Sequence, residues 1–344
     1  MLALVKTNKG PGHLAVMEMP RPKPGPGEVL IRVAVCGVCG TDIHVMHDRF
    51  PYWPPVILGH EFAGSIVELG SDVKNFEIGD RVVGEPHTQA CGSCYLCRTG
   101  NIQICSMKRS PGWGIHGGMA PYLKMPEKLL HRIPDSISWE EAALIEPLAN
   151  TVHDIIERAQ ICAGDFVSIT GPGPIGLLSA LVCKAAGARK VMIIGTEQDE
   201  AIRLRKAREI GINFVLNLAE DDPVQIAMDS TDGIGVDLAI EASGAVPAIQ
   251  MAFDLIRKKG RVCAIGLTSK DNIEFPWDKA MFKVADLTFN LSTSYTSWET
   301  AIHLVETGQI HLKPLISHVK PLAEWQQVFE DIENLKAIKA ILIP

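Results

Sequence analysis

Up to about residue 150 the apolar positions come in short runs broken by glycine and proline. Residues 28–35 alternate in part as a half-buried strand does, and 56–58, 64–68, 81–83 and 122–124 read as further short strands. The proline-rich stretch 20–26 is a turn or extended connector. Many short strands divided by turns predict a small β barrel or sandwich. Near Leu148 the period changes, and apolar strands begin to alternate with helical spacing. Strands are predicted over 166–170, 191–194, 214–216, 236–240 and 261–265, with helices over 174–186, 199–210, 224–228 and 246–257. Pro174 suits a first helical turn, where its missing N–H costs little, and Gly211 stops the second helix. This alternation predicts a parallel sheet covered on both faces. From about 286 a helix near 298–306 and a closing strand at 338–343 complete the pattern.

A chain of 344 residues is too long for one ordinary core, so two domains are expected. With 47% hydrophobic and 21% charged residues, the composition is that of a globular protein. A net charge of −7 with no visible basic patch argues against a nucleic-acid partner. Residues 1–10 lack the charged start and apolar run of a signal peptide. No run of about 18 apolar residues exists for a membrane span, so a cytoplasmic location is expected. In a reducing compartment nine cysteines are not a disulfide frame. Cys36, Cys162, Cys183 and Cys263 lie in apolar surroundings and are expected as small core residues.

The chemistry concentrates in three places. Cys39-Gly40-Thr41-Asp42-Ile43-His44 and Gly59-His60-Glu61 offer a thiolate, an imidazole and a carboxylate. Three such ligands hold zinc with one position open for water or substrate. Taken singly, a cysteine in an apolar strand is a small core residue and Gly-His-Glu occurs by chance; the combination carries the reading. Cys91, Cys94 and Cys97, followed by Cys105, place four thiolates in one loop. They match a closed structural zinc site with no open position, although an iron–sulfur cluster could also use four cysteines. Gly171-Pro172-Gly173-Pro174-Ile175-Gly176 falls between a predicted strand and a predicted helix. There a glycine-rich turn brings backbone N–H groups against a pyrophosphate, while the bland alternative is a tight turn without a ligand. The acidic residue that would hold a ribose 2′-hydroxyl is missing, since Gly195 and Thr196 stand there. Arg203 and Arg205 could tolerate the 2′-phosphate of NADP, whereas Glu197 and Asp199 would repel it; NAD is expected, with NADP as the alternative.

These motifs resemble the zinc-dependent medium-chain dehydrogenase/reductase family, in the branch of polyol (sorbitol or L-iditol) and threonine dehydrogenases. Residues 236–244 and 260–266 resemble the late strands of that family's cofactor domain. The resemblance implies an α/β fold: a GroES-like β-rich catalytic domain plus a Rossmann domain, a doubly wound parallel sheet that binds the cofactor. It divides the chain into residues 1–150, with a structural zinc lobe at about 86–110, then 151–288, and 289–344 returning to the catalytic domain. It implies Cys39, His60 and Glu61 around a catalytic zinc, with Glu146 of Glu146-Pro147-Leu148 as a ligand or close beside it. Cys91, Cys94, Cys97 and Cys105 would hold a second zinc. Thr41 and His44 would carry the alcohol proton outward, in a relay that includes the nicotinamide ribose hydroxyl. Gly171, Gly173, Pro174, Ile175, Gly176 and Thr196 would bind the dinucleotide. The activity implied is hydride transfer between a secondary alcohol, a polyol or a related compound, and NAD(P), giving the ketone. L-Threonine 3-dehydrogenase and a catalytically silent dehydrogenase-like binding protein are the alternatives. A small-molecule alcohol partner and a homo-oligomer, a tetramer by analogy, are implied. Where polyol dehydrogenases carry an Arg-Tyr pair that helps hold the sugar chain, Thr293 and Ser294 stand here.

Overall fold

The computed structural model describes residues 1–344. The strands before residue 135 are β1 (Leu2–Lys6), β2 (Leu14–Glu18), β3 (Glu28–Val38), β4 (Val56–Ile57), β5 (Glu61–Leu69), β6 (Arg81–Gly84), β7 (Tyr122–Pro126) and β8 (Leu130–Arg132). The middle of the chain holds β9 (Phe166–Thr170), β10 (Lys190–Gly195), β11 (Phe214–Asn217), β12 (Val236–Glu241), β13 (Ile256–Ala264) and β14 (Asp286–Phe289). The last two are β15 (Ile316–Pro321) and β16 (Lys339–Ile343). The chain divides into two compact units. The first takes Met1–Glu146, Ser294–Glu306 and Ile316–Pro344; the second takes Pro147–Thr293 and Thr307–Leu315.

In the first unit, a seven-stranded sheet runs β15-β16-β3-β5-β6-β8, with β7 also paired to β3, beside a three-stranded sheet β2-β1-β4. The eleven-residue β3 anchors it through antiparallel ladders to β5, β7 and β16. Its inward positions Val29, Ile31 and Val33 pack with Leu4, Ile57, Phe62, Ile66, Val82 and Leu123. Burial of such apolar area at about 25 cal/mol per Å² is what fixes the register.

In the second unit, six parallel strands run in the order β11-β10-β9-β12-β13-β14. The chain winds outward from β9 through β10 to β11, then returns beside β9 with β12 and winds the other way. That is the doubly wound order, and its switch point lies between β9 and β12. Phe166, Met192, Ile194, Leu216, Phe253 and Val262 fill its core.

Several elements differ from the sequence pattern. The helix expected over 246–257 ends at Leu255, and β13 begins at Ile256. Lys259 adopts a positive φ of 55° there, and the β12–β13 register shifts between Val236 and Leu238. The helix expected from 199 opens with a short turn and a widened π segment, Glu200–Leu204, before regular geometry at Arg205–Glu209. The longest unforeseen element is the Ile145–Val152 helix and its π continuation His153–Arg158. Its Ile145, Leu148, Ala149 and Val152 are all fully buried, but it lies across the change of period near Leu148 and carries Pro147 in its first turn.

That π segment buries Asp154, whose Oδ1 has no hydrogen-bond partner. Desolvation raises its carboxyl well above the usual range, against a smaller opposing effect of Arg158. For an acid with a raised folded value, the unfolded chain releases its proton first. Stability is therefore intact below the unfolded value and falls as pH rises through the folded one. Asp154→Asn should leave stability near pH 4 unchanged and raise the melting temperature by a few degrees at pH 8. Thermal unfolding of both proteins across pH 4–8 checks this; parallel curves would refute it.

Candidate active site

β3 delivers Cys39 to the N-terminus of a helix, Gly40–Met46, which carries Thr41 and His44. β5 begins at Glu61, so the turn before it presents His60. Asp42, fully buried, joins the two segments. Its Oδ2 accepts from the Cys39 N–H at 2.9 Å and its Oδ1 from the Gly59 N–H at 3.2 Å. Gly59 has a φ of +92°, and a Cβ there would stand 2.5 Å from the Cys36 sulfur. Only glycine makes this turn.

The ligand atoms of Cys39, His60 and Glu61 lie within 4.8 Å of one another. The imidazole is fully buried, and its Nδ1 has no hydrogen-bond partner. Burial alone would lower its proton affinity; the adjoining Cys39 thiolate outweighs that and pushes it up to about 10. A cysteine sulfur, a carboxylate and an imidazole held this close, two of the three residues buried, make a donor set that suits zinc. Trp113 stands edge-on to His60 at 4.9 Å and to Phe50 at 5.4 Å, closing one side. Tyr52 is a packing residue, buried with its hydroxyl on Asp48, and Trp53 stacks under Arg109.

Thr41 Oγ1 lies 3.7 Å from the Cys39 sulfur. His44 follows one turn later on the same helix face. Burial first, then the cationic Arg49 and His47, hold His44 below the usual imidazole range, so near neutral pH it is free of its proton. Glu146 is buried but outside the 4.8 Å set; its negative charge acts on His60 and Lys339. Thr293 is fully buried. Ser294 accepts from the Ser297 N–H at 3.0 Å through its hydroxyl.

Lys339 was not anticipated. It is fully buried at the start of β16 and ion-pairs with Glu61 Oε2 while donating to the Val38 carbonyl at 3.1 Å. Gly37 on β3 makes room, since a Cβ there would stand 2.3 Å from that oxygen. The only signal was a lysine opening an otherwise apolar closing strand.

The four loop cysteines also converge. Sulfur separations are 3.9 Å for Cys91–Cys97, 3.9 Å for Cys94–Cys105 and 3.7 Å for Cys91–Cys105. Four sulfurs about 2.3 Å from one zinc stand about 3.8 Å apart, so the set fits a tetrahedral ion. The Cys94 and Cys97 N–H groups donate to the preceding cysteine sulfurs. Amide donors from Ser93 and Cys94 pull the Cys91 thiol down to about 6.

In the second unit, the glycine turn links β9 to the Pro174–Ala185 helix. Gly171 has φ +95°, and a Cβ on Gly176 would stand 1.9 Å from the Gly171 carbonyl oxygen. Those two glycines make the turn and the close packing of helix on strand. Gly173, in contrast, faces open space and leaves the backbone approachable. Pro174 is the first residue of the helix and Ile175 follows it, with the helix N-terminus facing that opening. This is the division of labour a pyrophosphate requires. After β10, Thr196 donates N–H and hydroxyl to Asp199 Oδ2 at 3.0 and 2.9 Å. Asp199 also pairs with Arg203, Glu209 with Arg205, and Glu200 with Arg208.

The Asp42 clamp carries a prediction. Asp42→Asn keeps the shape but leaves one acceptor oxygen for the two amides, and outer partners of metal ligands typically govern affinity by about 10–100-fold. Zinc retained after dialysis against chelator should fall by up to one ion per chain, with the cysteine loop still loaded. Unchanged retention would refute the clamp.

Two family models match the chain. The alcohol dehydrogenase GroES-like domain covers residues 25–135, and the zinc-binding dehydrogenase model covers 174–307. A sorbitol dehydrogenase of Halalkalibacterium halodurans is 41% identical over 344 residues, 100% of this chain and 99% of its own. An L-threonine 3-dehydrogenase of Pyrococcus horikoshii is 37% identical, covering 100% of this chain and 98% of its own. A zinc-binding dehydrogenase of Sinorhizobium meliloti, solved bound to NADP, superimposes with a TM-score of 0.92 at 32% identity over 100% and 99% of the two chains.

Proposed function

The chain belongs to the zinc-dependent medium-chain dehydrogenases, in their polyol and threonine dehydrogenase branch, and from that premise we propose a role for each residue of the site. The protein is a zinc- and NAD(P)-dependent oxidoreductase that interconverts a secondary alcohol, polyol or related, and its ketone. We infer that Cys39, His60 and Glu61 hold the catalytic zinc with Glu146 beside it. Cys91, Cys94, Cys97 and Cys105 hold a second, structural zinc. The observation that carries this reading is the convergence of a thiol sulfur, an imidazole and a carboxylate within 4.8 Å of one another, two of the three residues buried. When bound, zinc would supply Lewis acidity toward the substrate oxygen and the dinucleotide would supply the hydride chemistry.

The chain's own residues do the rest. Thr41, next to the Cys39 sulfur, takes the alcohol proton on its hydroxyl oxygen as it gives up its own hydroxyl proton outward. His44, free of its own proton near neutral pH, takes that charge toward solvent. Lys339 offsets the negative charge of Glu61 and fixes its carboxylate. Gly171, Gly173 and Gly176 shape the turn for the pyrophosphate, with Pro174 and Ile175 opening the helix above it and Thr196 at the ribose end. NAD is the proposed cofactor. Each arginine following β10 is already ion-paired, so none stands ready for a 2′-phosphate. The first unit, Met1–Glu146 with Ser294–Glu306 and Ile316–Pro344, is the catalytic part and the second the cofactor part, in a homotetramer of the cytoplasm. No helix is long and apolar enough to cross a membrane.

The test is a panel of polyols, 2,3-butanediol and L-threonine, each with NAD and NADP, followed at 340 nm alongside zinc analysis. About two zincs per chain and turnover of a vicinal diol or polyol with NAD support the reading. Preference for L-threonine would move the chain to the threonine 3-dehydrogenases. One zinc with no turnover would make it a silent relative.

A further inference from the structure

The second unit contains a buried acid that no step above uses. Glu241 ends β12, fully buried at the carboxyl edge of the sheet, beside the switch point. Its Oε1 accepts from the Ser243 N–H at 2.8 Å, the Ser243 hydroxyl at 2.5 Å and the Gly244 N–H at 3.0 Å. Its Oε2 accepts from the Gly244 N–H at 3.1 Å. Its backbone carbonyl accepts from the N–H groups of Ile265 and Gly266, both at 2.9 Å. One residue therefore ties the turn after β12 to the turn after β13. A buried carboxylate is tolerated only with such a set of donors.

The turn it holds is the floor of the glycine loop. A Cβ on Gly171 would stand 3.0 Å from both Cβ and N of Ser243. A Cβ on Gly266 would stand 2.2 Å from the Gly244 nitrogen and 2.6 Å from Glu241 Oε2. The Ala242 N–H also donates to the Thr170 carbonyl, immediately before Gly171. Three chain segments meet here with no slack, and one of them is the turn assigned to the pyrophosphate. Any movement of 242–244 is passed directly to Gly171.

We propose that Glu241 is a positioning residue for the dinucleotide: its carboxylate, by folding the 242–244 turn inward, sets the position of Gly171 and so the affinity for the cofactor. The inference rests on the dinucleotide reading of that loop. In Glu241→Gln an amide that cannot accept replaces one oxygen: at Oε2 it turns N–H donors toward the Gly244 N–H, and at Oε1 it removes the acceptor of both Ser243 donors. Ser243→Ala removes one bond and leaves the acid in place.

The experiment measures KM and kcat for NAD, NADH dissociation constants by fluorescence, and zinc content, for the wild type and both variants. The expected result is an NAD KM and NADH dissociation constant raised about tenfold in Glu241→Gln and about threefold in Ser243→Ala. The kcat at saturating NAD and the zinc content stay unchanged. A wild type that binds no NADH would overturn the dinucleotide reading itself. A wild type that binds NADH, with both variants binding it equally well or losing only thermal stability, would overturn the role of Glu241. If Glu241→Gln fails to fold, Ser243→Ala alone decides: an unchanged KM overturns the proposal.

Discussion

Thr41→Ala is expected to lower kcat by about 10²–10³-fold while the protein keeps its zinc and its melting temperature. A positioned proton-transfer group typically contributes about 10²–10⁴-fold. Thr41 is the hydroxyl the structure places 3.7 Å from the Cys39 sulfur, on the helix that also carries His44. Its helical turn does not depend on the hydroxyl, because Asp42 caps the Cys39 N–H. Stability and catalysis therefore separate in this variant. Steady-state kinetics with metal analysis and a thermal melt read all three quantities. Turnover within a few-fold of the wild type would remove Thr41 from the mechanism.

The second large effect concerns the cysteine loop. Cys105→Ser should take zinc from about two ions per chain to about one and lower the melting temperature by about 10 °C or more. The loop has little apolar content of its own to bury: Tyr95, Ile104 and Met107 are exposed, and only Cys105 among the four thiols is buried. On the proposed four-thiolate zinc site, metal binding is what would fold it, and structural zinc is worth about 10–16 kcal/mol in isolated zinc-finger peptides. Part of that is lost here, and each kcal/mol moves a domain of this size by about 2–4 °C. Limited proteolysis should open a new cleavage site between Cys91 and Cys105. Two zincs per chain in the variant, with an unshifted melt, would refute a closed four-thiolate site.

Much of the fold could be read from periodicity, and the reasons are local. β9 to β12 and the Pro174–Ala185 helix stand within a residue or so of expectation, because runs such as 166–170 and 236–240 are mostly apolar and end in glycine or polar turns. β1 and β2 escaped notice, since β2 is mostly exposed and carries no inward alternation. The Trp325–Glu333 helix was missed although it packs Val328 and Phe329 into the core of the first unit. Its few apolar positions are diluted by Gln326, Gln327, Glu330 and Asp331. The Trp277–Lys283 helix has no fully buried residue and sets only Ala280 against the core of the second unit, so no inward period marks it.

The candidate site was legible where short motifs set ligand types and spacing. Cys39 with His60 and Glu61, and the four loop cysteines, are drawn together in the structure. What stayed hidden is long-range. Nothing near Glu61 in sequence names Lys339, and nothing near Gly171 names Glu241. Asp42 sits inside the quoted motif, yet its grip on Gly59 depends on a turn that only the folded chain forms. Charge compensation and bracing are supplied across strands, and a linear motif does not record its neighbours on the sheet.

The pairing of Lys339 with Glu61 also bears on biosynthesis. Lys339 reaches a β3 carbonyl 301 positions earlier in the chain. During translation the β3 and β5 segments emerge long before β16 exists. Until the ribosome has released β16, Glu61 lacks its lysine partner and β3 has an open edge. Such an intermediate is prone to non-native pairing. A stalled nascent chain lacking β16 would then be a substrate for chaperones, and a clash placed against β16 would act as a maturation defect in a protein whose ligands are all intact.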